Sequence, residues 1–209
     1  MPTIKIDSSL HKTELCSIGE SLATDKSPFC PEGHRHPYTA IYNLLFGTLK
    51  NKEIILAEIG VWRSASMKLW SSFFTNAKIY GFDYNNELLE KCKSYNIPNV
   101  SVSYIDVTSE ESIQKAFNSF NVQYDIIIDD SSHVFDDQIR IIKNTVNLLK
   151  PGGIMIIEDI YEKDDENTFI NALQDILHHF SFYTFIKGEH SNTWTDGLNN
   201  NKMLLLIKH

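Results

Sequence analysis

No stretch of the 209 residues comes near the roughly 20 consecutive apolar positions that a membrane-spanning helix needs, and the opening MPTIKIDSSLHKTEL holds no apolar run of signal-peptide length. A cytoplasmic protein with no membrane partner is therefore expected. Cysteine is scarce: Cys16, Cys30 and Cys92 are odd in number, widely spaced and without a CxxC pair, which speaks against both a disulfide framework and a thiolate zinc site. Basic charge is also short. The 19 Lys and Arg are outnumbered by 27 Asp and Glu, the formal charge is -8, and the cations are scattered rather than striped, so nucleic acid is not an expected partner. Internal repeats and low-complexity tracts are lacking, although GLNNNK at 197 to 202 is a locally polar, loop-like stretch.

What remains, 42% hydrophobic and 22% charged residues, is the composition of a single globular domain. Apolar runs rich in β-branched residues recur at EIILAEIG (53 to 60), AKIYGFD (77 to 83), VSVSYIDV (100 to 107), YDIIIDD (124 to 130) and GGIMIIED (152 to 159), and read as strands. Segments with helical spacing at 64 to 74, 86 to 95, 109 to 120 and 134 to 149 separate them, the last stopped by Lys150, Pro151 and Gly152. Strands apolar on both faces and joined by helical crossovers predict a doubly wound, mostly parallel α/β sheet. After a helix at about 165 to 179, SFYTFIKG (181 to 188) and KMLLLIKH (202 to 209) predict a closing antiparallel hairpin, which brings the sheet to seven strands. Residues 1 to 50, with the loop LATDKSPFCPEG and the helical HPYTAIYNLLFGTLK, are expected to form a lid loop and helix packed on a core of residues 51 to 209.

In open α/β sheets, ligands bind beyond the carboxyl ends of the strands. Here those ends carry Glu58 to Gly60, Asp83, Asp106, Asp129 with Asp130, and Glu158 with Asp159. Any one of these acids reads first as a cap for the following helix, but five strands in succession ending in acid point to a ligand. Gly60 and Asp83 stand at the separation of a dinucleotide site, yet Trp62 occupies the position where backbone must approach a pyrophosphate. A cofactor with an adenosine ribose and no phosphate fits better. S-adenosylmethionine offers ribose hydroxyls to Asp83, an adenine edge to Asp106 and an ammonium to an acid near Glu58.

The stretches EIGVWRSASMKLW (58 to 70) and IYGFD (79 to 83) resemble the first two motifs of class I S-adenosylmethionine-dependent methyltransferases. Together with them, ATDK (23 to 26), HPYTAIY (36 to 42), DDSSH (129 to 133) and KPGGIMIIEDIY (150 to 161) resemble the macrocin and mycinamicin type sugar O-methyltransferases. Two departures stand out: Ser64 and Ala65 replace glycines of EIGVxxGGS, and Ser131 replaces the glycine of DDGSH. The resemblance implies a Rossmann-like methyltransferase fold, a cofactor site that includes Glu58, Gly60, Ser66, Asp83, Asp106 and Asp129, and a divalent metal held by Asp130, Glu158 and Asp159. Oxygen ligands without cysteine favour Mg²⁺, with Mn²⁺ or Ca²⁺ also fitting. His133, three residues beyond Asp130, is then the general base, the role given to the family's matching histidine; otherwise it fills the first turn of a helix. The segment around Asp25, Lys26, His36, Tyr38 and Tyr42 matches where the family folds over its cofactor; otherwise Tyr38 and Tyr42 form a helix face packed on the sheet. Trp194, in the loop between the last two strands, could stack on a sugar or stand as an ordinary exposed aromatic.

The expected activity is O-methylation of a hydroxyl on a sugar, either a glycoside or a nucleotide sugar. The alternatives are a phenolic, catechol-like acceptor and a non-catalytic adenosine-binding subunit; a homo-oligomer is compatible with any of them.

Overall fold

The computed structural model describes residues 3–209. Five parallel strands build the centre: β2 (Ile55–Ile59), β3 (Lys78–Asp83), β4 (Val100–Tyr104), β5 (Tyr124–Asp129) and β6 (Leu149–Ile160). They alternate with helices α3 (Ala65–Phe73), α4 (Asn86–Ser94), α5 (Glu110–Asn118) and α6 (Phe135–Thr145), while α1 (Glu14–Ser21) and α2 (Tyr38–Phe46) precede them and α7 (Glu166–Ala172) follows. Strands β7 (Phe180–Glu189) and β8 (Lys202–Lys208) close the sheet, β8 pairing antiparallel with both β6 and β7. The doubly wound architecture and the antiparallel hairpin are as the periodicity predicts.

One strand is added to the seven. Residues Ile4–Asp7 form β1, paired in parallel with β7 from Ile4 against Ile186 to Asp7 against Glu189, so the order is β1-β7-β8-β6-β5-β2-β3-β4. Its four residues are largely exposed and carry no apolar run; its backbone pairing to an otherwise open edge makes it a strand. The helix expected at 165 to 179 is also shorter, ending at Ala172 with a separate 3₁₀ turn at Leu177–His179.

The isoleucines of β5 show why the strands are apolar throughout. Ile126 and Ile128 face one core with Tyr42, Met67 and Trp70, whereas Ile127 faces the other with Phe82, Phe117 and Ile141, and all three are fully buried. Each face of the sheet is thus covered by helices, as a central parallel strand requires. The chain runs outward from β2 on one side through β3 and β4, and on the other β2 borders β5, so the strand order reverses between them. A crevice opens at such a reversal, beyond the carboxyl ends of the strands. Among the described residues no helix is long and apolar enough to cross a membrane.

Candidate active site

The reversal point is held by backbone. The Gly60 amide donates to the Phe82 carbonyl at 2.7 Å and the Asp130 amide donates to the Ile59 carbonyl at 2.9 Å, continuing the ladder past the strand ends. Gly60 has φ +103°, and a Cβ there would lie 2.0 Å from the Asp130 carbonyl oxygen. Glycine is therefore required by the passage of the β5 chain as well as by its backbone conformation. The following loop wraps the Asp83 carboxylate: Oδ2 accepts from the amides of Val61 and Trp62, both at 3.0 Å, and Oδ1 accepts from Asn85 at 2.9 Å. Trp62 and Ser64 adopt left-handed backbone with φ 39° and 64°; Trp62 is 55% exposed and lies under the Arg63 guanidinium at 4.8 Å.

A local turn, not a helix cap, accounts for part of the acid pattern. Side chains of Asn85 and Ser109 cap α4 and α5, and Asp106 Oδ1 closes a turn by accepting from the Thr108 hydroxyl at 2.7 Å and amide at 2.9 Å, which holds its carboxyl below the usual range. By contrast, α3 and α6, the helices that start at the reversal point, have no side-chain cap. Ser66 is buried in the first turn of α3. Asp129 accepts through Oδ1 from the Ser131 hydroxyl at 2.6 Å, while its Oδ2 is buried without a partner. Burial pushes its carboxyl up to about 6 against the opposing Ser131 bond.

Beside this loop lies a cluster of four acids, three of them around one buried ammonium. Lys26 Nζ stands 2.5 Å from Asp130 Oδ2, 2.6 Å from Glu158 Oε2 and 3.2 Å from Glu58 Oε1. Glu58 Oε2 accepts from the Trp70 indole at 2.6 Å, and the Tyr42 hydroxyl donates to Glu158 Oε1. The Tyr38 hydroxyl donates to Asp159 Oδ1 at 2.6 Å, with His36 stacked on the Tyr38 ring and its Nδ1 3.5 Å from the same oxygen. Burial works to lower the Lys26 pKa, but Asp130, Glu158 and Glu58 outweigh it and hold the group well above its ordinary value. Burial raises the Glu158 carboxyl well above the usual range despite Lys26, and burial with the neighbouring acids does the same for the Tyr38 and Tyr42 hydroxyls, which remain donors.

The remaining oxygens face a histidine. His133 Nε2 is 3.5 Å from Asp159 Oδ2 and 4.0 Å from Asp130 Oδ1, and one donor from each of the three residues lies within 4.8 Å of the others. Both His133 and Asp159 hold left-handed backbone, φ 57° and 56°, a strain of about 1–3 kcal/mol each of the kind that collects at functional sites. Of the metal trio expected from sequence, the structure thus brings Asp130 and Asp159 together with His133, and places Glu158 behind them with both oxygens engaged. Glu58 is likewise enclosed. Lys26 falls in the segment that the resemblance places over the cofactor, but its burial among the acids is produced by tertiary contacts and has no local signal.

Hard carboxylate oxygens in excess of the single buried ammonium, two of them facing His133 Nε2, make a donor set that suits a divalent cation. Trp194 is 45% exposed and bridges to Arg35 by paired backbone bonds of 2.8 and 3.1 Å, which anchors its loop next to His36. A cleft of about 680 Å³ between this loop and the end of β6 is lined by Tyr161, Glu162, Lys163, Gly197, Leu198 and Asn199.

Residues 64–198 match the methyltransferase domain family. The chain belongs to that family. Similar curated proteins include an 8-demethyl-8-alpha-L-rhamnosyl tetracenomycin-C 2'-O-methyltransferase of Streptomyces olivaceus, 25% identical over 70% of this chain and 43% of that protein. Mycinamicin VI 2''-O-methyltransferase of Micromonospora griseorubida is 28% identical over 64% of this chain and 34% of its own length. Demethylmacrocin O-methyltransferase of Streptomyces fradiae is 26% identical over 62% of this chain and 33% of its own length. The chain therefore spans less than half the length of these relatives. Among solved structures, the MycE methyltransferase from the mycinamycin pathway, in complex with Mg and SAH, superposes with TM-score 0.70 at 20% identity over 95% of this chain and 55% of that one. The likeness bears out the Rossmann-like methyltransferase fold.

Proposed function

We propose that the protein is a cytoplasmic S-adenosylmethionine-dependent O-methyltransferase that acts with a divalent metal on a hydroxyl of a sugar, either a glycoside or a nucleotide sugar. The observation that carries this reading is the convergence of Asp130, Asp159 and His133 beside the Gly60 loop, at the reversal point of a methyltransferase fold. The relatives named above, O-methyltransferases of a rhamnosyl tetracenomycin, of mycinamicin VI and of demethylmacrocin, support the acceptor class.

The cofactor would lie along the Gly60 to Ser66 loop, with the free Asp129 Oδ2, Asp83 and Asp106 as its polar partners; Glu58, being enclosed, would act through Lys26 and Trp70. Its methyl group is activated by the sulfonium itself, so the protein has to align and deprotonate the acceptor. Asp130 and Asp159 would hold the metal, which would lower the pKa of an acceptor hydroxyl. His133 takes the proton through Nε2, the ring atom turned toward the two acids. His36, Tyr38 and Tyr42, at the start of α2, would keep the acids oriented and water out, and Trp194 at the rim would offer a flat face to a sugar ring.

Incubation with labelled S-adenosylmethionine, Mg²⁺ and a panel of glycosides, nucleotide sugars and catechols, read by mass spectrometry, tests the proposal. Methyl transfer to a sugar, lost in chelator and restored by Mg²⁺, is the expected result. Preference for catechols would replace the acceptor class, and cofactor binding without turnover on any acceptor would point to a non-catalytic subunit.

A further inference from the structure

The loop between β7 and β8, residues 190 to 201, carries Trp194 and one wall of the cleft, and it is poorly held by its own contacts. His190 Nε2, Thr193 Oγ1 and Asn200 Oδ1 are buried in it and make no hydrogen bond. Polar groups buried in this way cost stability, so the order of the loop depends on tethers to the rest of the chain. Asn201, the last residue before β8, is tied twice. Its carbonyl accepts from the Gly188 amide at 2.9 Å, and its side-chain Oδ1 lies 3.0 Å from His36 Nδ1. Gly188 is where the start of α2 packs: a Cβ there would stand 2.6 Å from Pro37 Cγ and 3.0 Å from Ile41 Cδ1. His36 is equally fixed, its amide donating to the Asp25 carbonyl at 2.7 Å and its ring stacked on Tyr38 at 4.9 Å.

The side-chain bond has a defined direction. His36 Nδ1 faces two oxygens, Asn201 Oδ1 at 3.0 Å and Asp159 Oδ1 at 3.5 Å. A carboxylate oxygen only accepts, so an Nδ1 without its proton would set a lone pair against it; Nδ1–H suits both neighbours. The Tyr38 hydroxyl takes the nearer place on Asp159 Oδ1, at 2.6 Å, which leaves the His36 proton to Asn201. Two stacked rings thus face two ways. Tyr38 holds the acid beside His133, and His36 holds the loop, with both ends of its bond buried at 3% and 7% exposure.

We propose that His36 and Asn201 are positioning residues for the acceptor: their bond fixes the loop of residues 190 to 201, and with it Trp194 and the cleft wall at Gly197, Leu198 and Asn199, relative to Asp159, so that a sugar seated on the loop presents its hydroxyl to His133. The inference rests on the acceptor class proposed above. Without the bond the loop must be ordered by the acceptor itself, at the expense of acceptor affinity and with the chemistry of the bound state preserved.

The test combines amide hydrogen exchange with steady-state kinetics on the intact chain in the presence of Mn²⁺. Asn201→Leu, which removes the accepting oxygen, should speed exchange over residues 190 to 199 at least about tenfold while α4 and α5 exchange as in the wild type. Its acceptor KM should rise at least about tenfold with kcat within about threefold, and its affinities for Mn²⁺ and S-adenosylhomocysteine should stay within about threefold. His36→Phe, which keeps a ring on Tyr38 and loses the donor, should loosen the same segment, and Asn201→Leu should add less than about twofold on that background. His36→Asn, whose amide nitrogen stands near the Nδ1 position, should restore slow exchange. Unchanged exchange in a folded Asn201→Leu, or faster exchange with an unchanged KM, overturns the proposal, as does full additivity of the two substitutions or a parallel loss of Mn²⁺ binding. If Asn201→Leu does not fold, Asn201→Ser, too short to reach His36, takes its place. A wild type that methylates no sugar overturns the acceptor class and this role together, whereas turnover on a sugar with a loop that does not respond overturns this role alone.

Discussion

The bond from the Tyr38 hydroxyl to Asp159 Oδ1, 2.6 Å long and fully buried, determines that Oδ2 is the Asp159 oxygen facing His133. Removing the hydroxyl leaves a buried carboxylate oxygen without its donor, a cost of about 1–3 kcal/mol. Tyr38→Phe should therefore lower stability by that amount. It should also weaken divalent-metal affinity by about 10–100-fold, the effect of losing a partner that orients a ligand. Denaturant unfolding and Mn²⁺ titration measure the two effects separately; an affinity within about twofold of wild type would mean that Asp159 holds its orientation by backbone alone.

Gly60→Ala should be among the most damaging single changes. The added Cβ would stand 2.0 Å from the Asp130 carbonyl oxygen on a backbone at φ +103°. Overpacking of about 1–3 kcal/mol and a left-handed penalty of about 1–2 kcal/mol combine, and the strand end bearing Asp130 must move. A well-folded Gly60→Ala with wild-type metal affinity would show that the two strand ends separate more easily than their packing indicates.

Much of this architecture is visible in the sequence because it is local. The runs around Ile126 to Ile128, the acids that close each strand and the Pro and Gly in the first residues of β6 identify the parallel sheet and the end at which it binds. What the sequence does not disclose are relations between distant segments. Lys26 and Glu158 are 132 positions apart, and nothing near Lys26 announces that it is buried. Adjacent Glu158 and Asp159 look like a ligand pair until the turn at Asp159 sends them to different neighbours. The edge strand at Ile4–Asp7 is similar, since its residues carry no strand pattern and β7 supplies the pairing.

Ser64→Gly should stabilise the protein. Ser64 holds φ 64° at the start of α3 without capping it, a conformation that costs a non-glycine residue about 1–2 kcal/mol. Its side chain is buried, and the lost packing offsets part of the gain. A net stabilisation of about 1 kcal/mol corresponds to a Tm increase of about 2–4 °C for a chain of this size. A lower Tm by calorimetry would show that the lost side-chain packing outweighs the backbone strain.

Glu58 makes stability depend on pH. Burial raises its carboxyl from an ordinary 4.5 to about 7 against the pull of Lys26. Over that interval the folded chain binds more protons at this site than the unfolded chain, so the Glu58 contribution is fully present below about pH 4.5 and is lost as pH rises through about 7. The shift corresponds to about 3 kcal/mol. Glu58→Gln, which mimics the protonated acid, should accordingly gain about that much relative to wild type between pH 4.5 and pH 8, measured as urea midpoints across the range. A constant difference between the two proteins would place the ionisation of Glu58 outside this window.

His133→Ala separates proton transfer from binding. The imidazole is partly open, held by a left-handed backbone, and its Nε2 faces Asp130 and Asp159. Removing a general base lowers the rate by about 10²- to 10⁴-fold, whereas a histidine that only leads into α6 would change stability and leave turnover intact. The variant should bind S-adenosylhomocysteine as the wild type does, since the loop from Gly60 to Ser66 and the Asp83 contacts do not involve His133. It should lose methyl transfer on any acceptor the wild type uses. The rate profile adds a second criterion, because a limb at acid pH that reports protonation of the base must disappear from the residual activity of His133→Ala. Full turnover with the acid limb intact would move the base elsewhere in the cluster and leave His133 to the metal.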